Sequence, residues 1–268
     1  RHSSAASDVY KRQVLGCYFL LQKLFGSLHP VLGWSLDLFL GYSLLALRDL
    51  EIHGLRVWRA TAEGNLMAAR EEISQLVGRD VERLDLAGCN RATLESLSEN
   101  LSDGVVSPLI WLTLVGIPGM LAFKVISTMD SMVGYRNSRY LHFGWFGART
   151  DDLMNWVPAR LTWVLLSISA WVLPGYDGRM VWSIGLSQHQ HMSGPNAGWG
   201  QAASAGALRV QLVGEKWKNG RLQHNAWLGH SDDPAQVGAD SIARLIRLNR
   251  YATLLLLVIL SLLITVFN

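Results

Sequence analysis

The apolar residues of this chain are gathered into blocks, each long enough to cross a bilayer or close to it. Residues 14–47, 105–127, 157–173 and 252–267 carry few charges, and polar stretches separate them. A helix needs about 20 residues to span the hydrocarbon core. Inside that core every backbone polar group must be satisfied within the protein. The blocks therefore predict an all-α, multi-pass integral membrane protein, with amphipathic and polar helices packed at the membrane surface. Composition agrees: half of the residues are hydrophobic and 17% are charged, against about 25% charged in soluble domains. Eleven tryptophans suit an interfacial belt. Arg244, Arg247 and Arg250, just before the last block, suit a cytoplasmic flank.

Between the blocks the pattern changes. In residues 55–77, Leu55, Trp58, Ala62, Leu66, Ala69, Ile73 and Leu76 recur at three- and four-residue spacing, which predicts one amphipathic helix stopped by Gly78. A second helix is expected from Asp85 to Asn100, with Asp85 as its N-cap. The block at 105–127 contains Gly116-Ile-Pro-Gly119. Proline removes a helix hydrogen bond and clashes with the preceding turn, so this block is either a kinked span or a re-entrant hairpin. If the acidic clusters before and after it share one site, it must turn back at Gly116–Gly119. The small residues at 202–207 predict close helix contact, and residues 214–220 and 229–238 read as loops. Asp37, inside the first block, must face protein or water, in a structural or a functional role. Residues 1–13 (RHSSAASDVYKRQ) are polar, do not form a signal peptide, and are expected to be foreign to a membrane domain of 14–268.

Several classes are disfavoured. The net charge of +3 comes with no clustered basic patch, so no nucleic-acid partner is expected. Cys17 and Cys89 lack the spacing of a disulfide framework or a zinc site. Neither a GxxxxGK[ST] loop nor a GxGxxG fingerprint is present, so any nucleotide must be bound another way.

Three polar clusters and one weaker element could carry chemistry. In residues 95–104 (ESLSENLSDG), Glu95 and Glu99 project from one helical face. Asn100 and Asp103 follow, making an oxygen-rich group that is either a magnesium site or a solvated face. In residues 128–137 (TMDSMVGYRN), Asp130 sits at a membrane boundary. In residues 148–160 (ARTDDLMNWVPAR), a continuous helix would align Arg149, Asp152, Trp156 and Arg160, with Asp151 and Asn155 on a neighbouring stripe. Pro158 should kink or end that helix and free a carbonyl near Met154. Two arginines suit phosphate recognition; an internal Arg149–Asp152 pair is the plainer alternative. His189 and His191 would share one side of an extended segment, but two histidines do not complete a metal site.

Taken together, these runs resemble the CobD/CbiB family of membrane-bound adenosylcobinamide-phosphate synthases. The resemblance rests on 95–104, Pro108-Leu109, 128–137, Phe143-Gly144 and 148–160. Supporting matches are 77–80 (VGRD), 195–199 (PNAGW) and 205–207 (AGA). It extends from about residue 14 to the C-terminus. Gly194 stands where the family has a serine, and the family places a further membrane segment ahead of residue 14. The resemblance implies ATP-dependent amide formation between adenosylcobyric acid and aminopropanol phosphate, with ATP and magnesium as cofactors, in the bacterial inner membrane. It implies catalytic roles for Glu99, Asn100, Asp103 and Asp130. Substrate or phosphate contacts would fall to Arg136, Arg149, Arg160 and Asn196, and magnesium to Asp103, Asp151, Asp152 and Asn155. The partners implied are the corrinoid, aminopropanol phosphate, ATP, the lipid bilayer and other cobalamin-assembly enzymes. A non-catalytic membrane sensor is the alternative, although such a protein would be expected to lose the acidic clusters. A transporter is a third reading, which the position of most acids outside the apolar blocks disfavours.

Overall fold

The computed structural model describes residues 2–133 and 145–267. In chain order the helices are α1 (His2–Leu28), α2 (Pro30–Ser43), α3 (Leu47–Ala62), α4 (Leu66–Ser74), α5 (Leu86–Leu101), α6 (Ser107–Val133), α7 (Trp145–Met154), α8 (Trp156–Val172), α9 (Gly178–Gln188), α10 (Ala197–Leu208) and α11 (Asp240–Phe267). A π-helical turn, Ser102–Val106, links α5 to α6, and a 3-10 turn, His189–His191, follows α9. Short strands β1 (Leu212–Val213), β2 (Lys216–Lys218), β3 (Arg221–Gln223) and β4 (Trp227–Leu228) make two antiparallel ladders, β1–β4 and β2–β3. The all-α expectation holds apart from these short strands, of which only β2 falls within a segment read as loop. Among the described residues, three stretches, Pro30–Ala62, Leu86–Asp130 and Asp240–Val266, are long and apolar enough to cross a membrane. The chain forms two compact units: residues 1–46 with 103–158, and residues 47–102 with 159–268.

In the first unit, α1 and α2 are separate helices because Pro30 occupies the first turn of α2, where a missing N–H is harmless, and the His29 ring accepts the Val31 N–H. Asp37 is structural here: it accepts hydrogen bonds from Tyr18 Oη at 3.0 Å and Gln22 Nε2 at 2.7 Å, tying α2 to α1. Helix α1 runs through residue 13 without a break. Trp34, Leu38 and Phe39 stand exposed on α2, as a lipid-facing surface would.

The block at 105–127 doubles back. Gly116 has φ 72° and ψ −163°, a region essentially reserved for glycine, and Pro118 follows at once. A Cβ built on Gly119 would lie 2.7 Å from the Trp111 carbonyl oxygen, eight residues earlier, which a straight helix would place about 12 Å away. Both ends of α6 reach one turn of chain: Ser107 donates to the Asn155 side chain and Ser127 hydrogen-bonds Asp151. Counted end to end, Leu86–Asp130 suffices for a span, but the arm from residue 107 to 115 is only about 14 Å long, roughly half the hydrocarbon thickness. Gly116→Ala is expected to cost about 1–3 kcal/mol. It should lower the thermal midpoint of the purified protein, and an unchanged midpoint would show that the turn does not need this backbone geometry.

In the second unit, the helix expected over 55–77 is two helices. Gly64, at φ 70°, ends α3, and the Asn65 side chain caps α4 by accepting the Ala68 N–H. Asp85 caps α5 as expected, accepting the Gly88 N–H at 2.7 Å. Helix α10, built almost wholly from small residues, is buried from Gly198 to Leu208. A Cβ on Gly200 would come within 2.7 Å of the Ser98 carbonyl oxygen of α5, and one on Gly206 within 2.7 Å of the Met180 carbonyl oxygen of α9. Only the absence of side chains there lets three backbones approach so closely. Helix α11 packs on α3 and α5 through Ile242, Leu245 and Ile246. Arg250 clamps Glu51 with two hydrogen bonds of 2.6 and 2.7 Å.

Candidate functional site

The second unit gathers charge around α5. Glu95 is buried, and its carboxylate is the hub: it accepts from Arg79 Nη2 and from the Val213 N–H at 3.0 Å, with Arg91 Nε 3.9 Å away. One turn later Glu99 accepts from Gln201 Nε2 of α10 at 3.3 Å. Glu99 is open to solvent yet densely surrounded by protein, as befits a side chain on the floor of a cleft. The β2–β3 hairpin supplies Lys216 and Lys218. Segment 77–83 holds the hairpin in place: Asp80 accepts the Asn219 and Gly220 N–H groups at 3.0 and 2.7 Å, and the Arg83 guanidinium lies 3.7 Å from the Trp217 ring centre.

Lys216 is the most informative member. It is half-buried, and its ammonium makes no hydrogen bond or ion pair with any described residue. Burial first, and then Arg79, push its pKa below the usual lysine range; Lys218 adds to the effect, while Glu95 and Glu99 oppose it. Four cationic side chains, Arg79, Arg91, Lys216 and Lys218, thus surround two carboxylates. That surplus is suited to an anion with several oxygens.

A second feature of this unit is an aromatic cluster at the start of α10. The Trp199 ring stacks on His189 at 3.7 Å and contacts Trp163 at 4.9 Å; the Arg160 guanidinium lies 5.1 Å from its centre. Trp182 extends the cluster at 4.2 Å from Trp163. His189 and His191 sit in a helical turn rather than an extended segment, and Nδ1 of His189 faces the carbonyls of Gly185 and Leu186. Among the described residues no group of three His, Cys, Asp or Glu side chains is arranged to hold a metal. A shallow depression at the opposite end of α5, lined by Gly64, Asn90 and residues 236–239, contains no cationic side chain.

The first unit carries its own acidic group. Asp151 accepts from Asn155 Nδ2 at 3.0 Å through Oδ2, while its Oδ1 is buried without a hydrogen-bond partner. Burial, and then the nearby Asp130 and Asp152 carboxylates, raise its pKa to about 6, against the lowering effects of Asn155 and Ser127. Burial also raises the pKa of Asp152, which Arg149 opposes from 3.9 Å. Asp103 has Lys124 as its electrostatic neighbour.

The expected site residues are therefore divided. Glu99 and Asn100 lie in the second unit, and Asp103 and Asp130 in the first. Asn100 donates to the Ser96 carbonyl of its own helix at 2.9 Å. The magnesium set of Asp103, Asp151, Asp152 and Asn155 does not form one ligand shell: Asn155 is buried, with its amide spanning Ser107 and Asp151, and Asp103 faces Lys124. The stripe from Arg149 to Arg160 is broken as well. The chain leaves the helix at Asn155, so that Pro158 falls in the first turn of α8, where proline is tolerated. Arg149 and Asp152 remain on α7 as the exposed internal pair, and Arg160 sits on α8 beside Trp199. The freed carbonyl is at Met154, as expected, and accepts from Trp111 Nε1 at 3.4 Å. Asn196 stands immediately before α10, and Arg136 lies outside the described residues. Sequence reasoning missed Arg79, Arg91, Lys216 and Gln201. Arg79 sat in a motif already singled out (VGRD), and a half-buried lysine between two turn signals gave no local cue.

The CobD/Cbib protein family model matches residues 11–249. The cobalamin biosynthesis protein CobD of Yersinia enterocolitica is 40% identical over 235 residues, covering 88% of this chain and 73% of that protein. The protein of the same name from Photorhabdus laumondii is 38% identical over 248 residues, covering 92% and 76%. That of Geobacter metallireducens is 46% identical over 186 residues, covering 69% and 58%. No solved structure matches the chain. With a family match that spans both units and relatives at this level of identity, the chain belongs to the CobD/Cbib protein family.

Proposed function

We propose that this protein acts in cobalamin biosynthesis, in the bacterial inner membrane, as the ATP-dependent ligase that joins adenosylcobyric acid to aminopropanol phosphate. The observation that supports this reading most is the cleft around Lys216, where an unpaired, half-buried ammonium stands among three further cations and two carboxylates. Amide formation from a carboxylate requires activation. In the proposed reaction a phosphoryl group passes from ATP to a propionate oxygen of the corrinoid, releasing ADP; the amine nitrogen then bonds to that carbonyl carbon, the acyl C–O bond breaks, and inorganic phosphate leaves. The chain's cations hold phosphate oxygens in place and neutralise their charge. Glu99, the accessible carboxylate of the cleft, is positioned to take the proton lost by the attacking amine.

Magnesium, when bound, would neutralise the transferring phosphoryl group. Taken by itself, the first unit has one carboxylate that fits a magnesium ion, Asp151, whose buried Oδ1 lacks a partner and which has two further acids close by. Magnesium usually takes one or two carboxylates and completes its shell with water and substrate phosphate, so a full protein shell is not required. The reading is tested by incubating the purified membrane protein with adenosylcobyric acid, aminopropanol phosphate and ATP, and measuring the amide product by mass. Lys216→Met is expected to lower kcat/KM by roughly tenfold to a hundredfold, about 1.4–2.7 kcal/mol, with the helical content intact. No product from the unaltered protein would sink the ligase reading; full activity in Lys216→Met would remove the cleft from it.

A further inference from the structure

Helix α11 has two sides of different character. One packs on the second unit through Ile242, Leu245 and Ile246. The other reads, in chain order, Arg244, Arg247, Tyr251, Leu254 and Val258. At about 100° per residue these five fall within about 80° of one another. Tyr251, Leu254 and Val258 are 44%, 57% and 50% exposed, and from Leu257 to Val266 no residue of the helix is buried. The helix runs about 25 Å from Tyr251 to Phe267, close to the thickness of a hydrocarbon core. A membrane boundary therefore falls near Tyr251, at a level that tyrosine favours. Arg247 and Arg244 stand about 6 and 10 Å outside it along the helix axis.

The three arginines ahead of this boundary differ. Arg250 is engaged by Glu51. Arg244 is oriented but not neutralised: its Nη2 donates to the Gly175 carbonyl at 2.8 Å, and its guanidinium lies 5.3 Å from the Tyr176 ring centre. Arg247 is exposed and makes no hydrogen bond or ion pair with any described residue. It lies close enough to act electrostatically on the Tyr176 hydroxyl, as Arg244 does. Asp240, the acid on the same face, stands one turn further from the boundary than Arg244 and forms an ion pair with neither arginine. Two cations without a carboxylate thus stand at headgroup depth, directly above an apolar stripe. We propose that this face of α11 binds an anionic phospholipid, with the phosphodiester held by Arg244 and Arg247 and an acyl chain lying along Leu254 and Val258. The guanidinium forks match the phosphate oxygens. A zwitterionic headgroup brings its own cation to the two arginines and is disfavoured, and a soluble phosphate ester gains nothing from the stripe. Occupancy also bears on the fold. Asn249, two residues from Arg247, donates to the Leu97 carbonyl at 3.4 Å, so a lipid that steadies α11 steadies α5 with it.

The test is lipid binding to the full chain, purified and delipidated in a non-ionic detergent, with dioleoyl phosphatidylglycerol, dioleoyl phosphatidylcholine and the chain-free headgroup glycerol 3-phosphate. Phosphatidylglycerol is expected to bind roughly tenfold tighter than phosphatidylcholine, from two arginines at the surface, and to raise the melting midpoint. Glycerol 3-phosphate is expected neither to compete nor to raise it. Arg247→Gln removes a side chain that holds nothing else in place, so it should fold normally and lose most of the preference. The double variant Arg244→Gln/Arg247→Gln should bind the two lipids equally. Arg59→Gln serves as the control: it removes an exposed arginine of α3, eight residues and about 12 Å beyond the partner of Arg250, and should keep the full preference. Equal binding of the two lipids by the unaltered protein overturns the proposal without any variant. So does an Arg247→Gln protein that keeps the whole preference, or a loss in Arg59→Gln as large as in Arg247→Gln. Competition by glycerol 3-phosphate as strong as that of the lipid would make this a site for soluble phosphate esters and overturn the lipid assignment.

Discussion

Glu95→Ala is expected to destabilise the second unit by roughly 3–5 kcal/mol, because it breaks a buried ion pair by removing one partner. The Arg79 side chain is 11% exposed and that of Glu95 only 4%, so the guanidinium would be left with its charge poorly hydrated. The Val213 N–H would lose its acceptor as well, at the point where β1 pairs with β4. Glu95→Gln keeps an acceptor for Val213 and removes only the charge, so its loss should be smaller. Thermal and denaturant melts of both variants in detergent test the ordering. A Glu95→Ala protein as stable as the unaltered one would mean that the hub does not support the unit. The same comparison bears on function: Glu95→Gln should raise the KM for a phosphorylated substrate even where its melting temperature stays close to that of the unaltered protein, since it frees Arg79 and Arg91 from their fixed positions.

What was legible in the sequence was local. The Asp85 cap, the turn at Gly116, the small residues of α10 and the freed carbonyl at Met154 each depend on a few neighbouring residues, and each stands where it was expected. The misreadings arose where periodicity was carried across a break. Apolar spacing runs on through residues 55–77 although Gly64 and Asn65 end one helix and start another. The same extrapolation across Asn155 aligned Arg149 with Arg160, which belong to different units. The cleft was the least legible part. Glu95 meets the Val213 N–H across 118 positions and Glu99 meets Gln201 across 102. No periodicity links a helix to a hairpin so far along the chain. Glu95 and Glu99 were visible as a pair on one face, but the cations that give the pair its meaning arrive from other elements.

Asp151→Asn is expected to stabilise the first unit at neutral pH and not at acid pH. Burial lifts the Asp151 pKa from an ordinary carboxylate value to about 6, so the folded state holds this proton more tightly than the unfolded chain does. Stability from this group is present below the unfolded pKa, about 4, and is lost as pH rises towards about 6. Above that pH the folded protein holds a partly buried carboxylate beside Asp130 and Asp152, at an expected cost of about 2–3 kcal/mol. Asparagine has nearly the same shape. Its oxygen can keep the hydrogen bond from Asn155, and its NH2 would then occupy the buried position of Oδ1, facing acids instead of repelling them. The melting temperatures of the two proteins should therefore converge near pH 4 and separate by pH 7, with the variant higher. Magnesium provides the second comparison. If Asp151 helps to hold the ion, millimolar magnesium should raise the midpoint of the unaltered protein at pH 7.5 and leave that of Asp151→Asn unmoved, because binding stabilises only the state that binds. A variant that melts lower than the unaltered protein at pH 7 would contradict the buried-charge argument. Equal magnesium responses in the two proteins would place the ion elsewhere and leave Asp151 as a buried group that takes up a proton on folding.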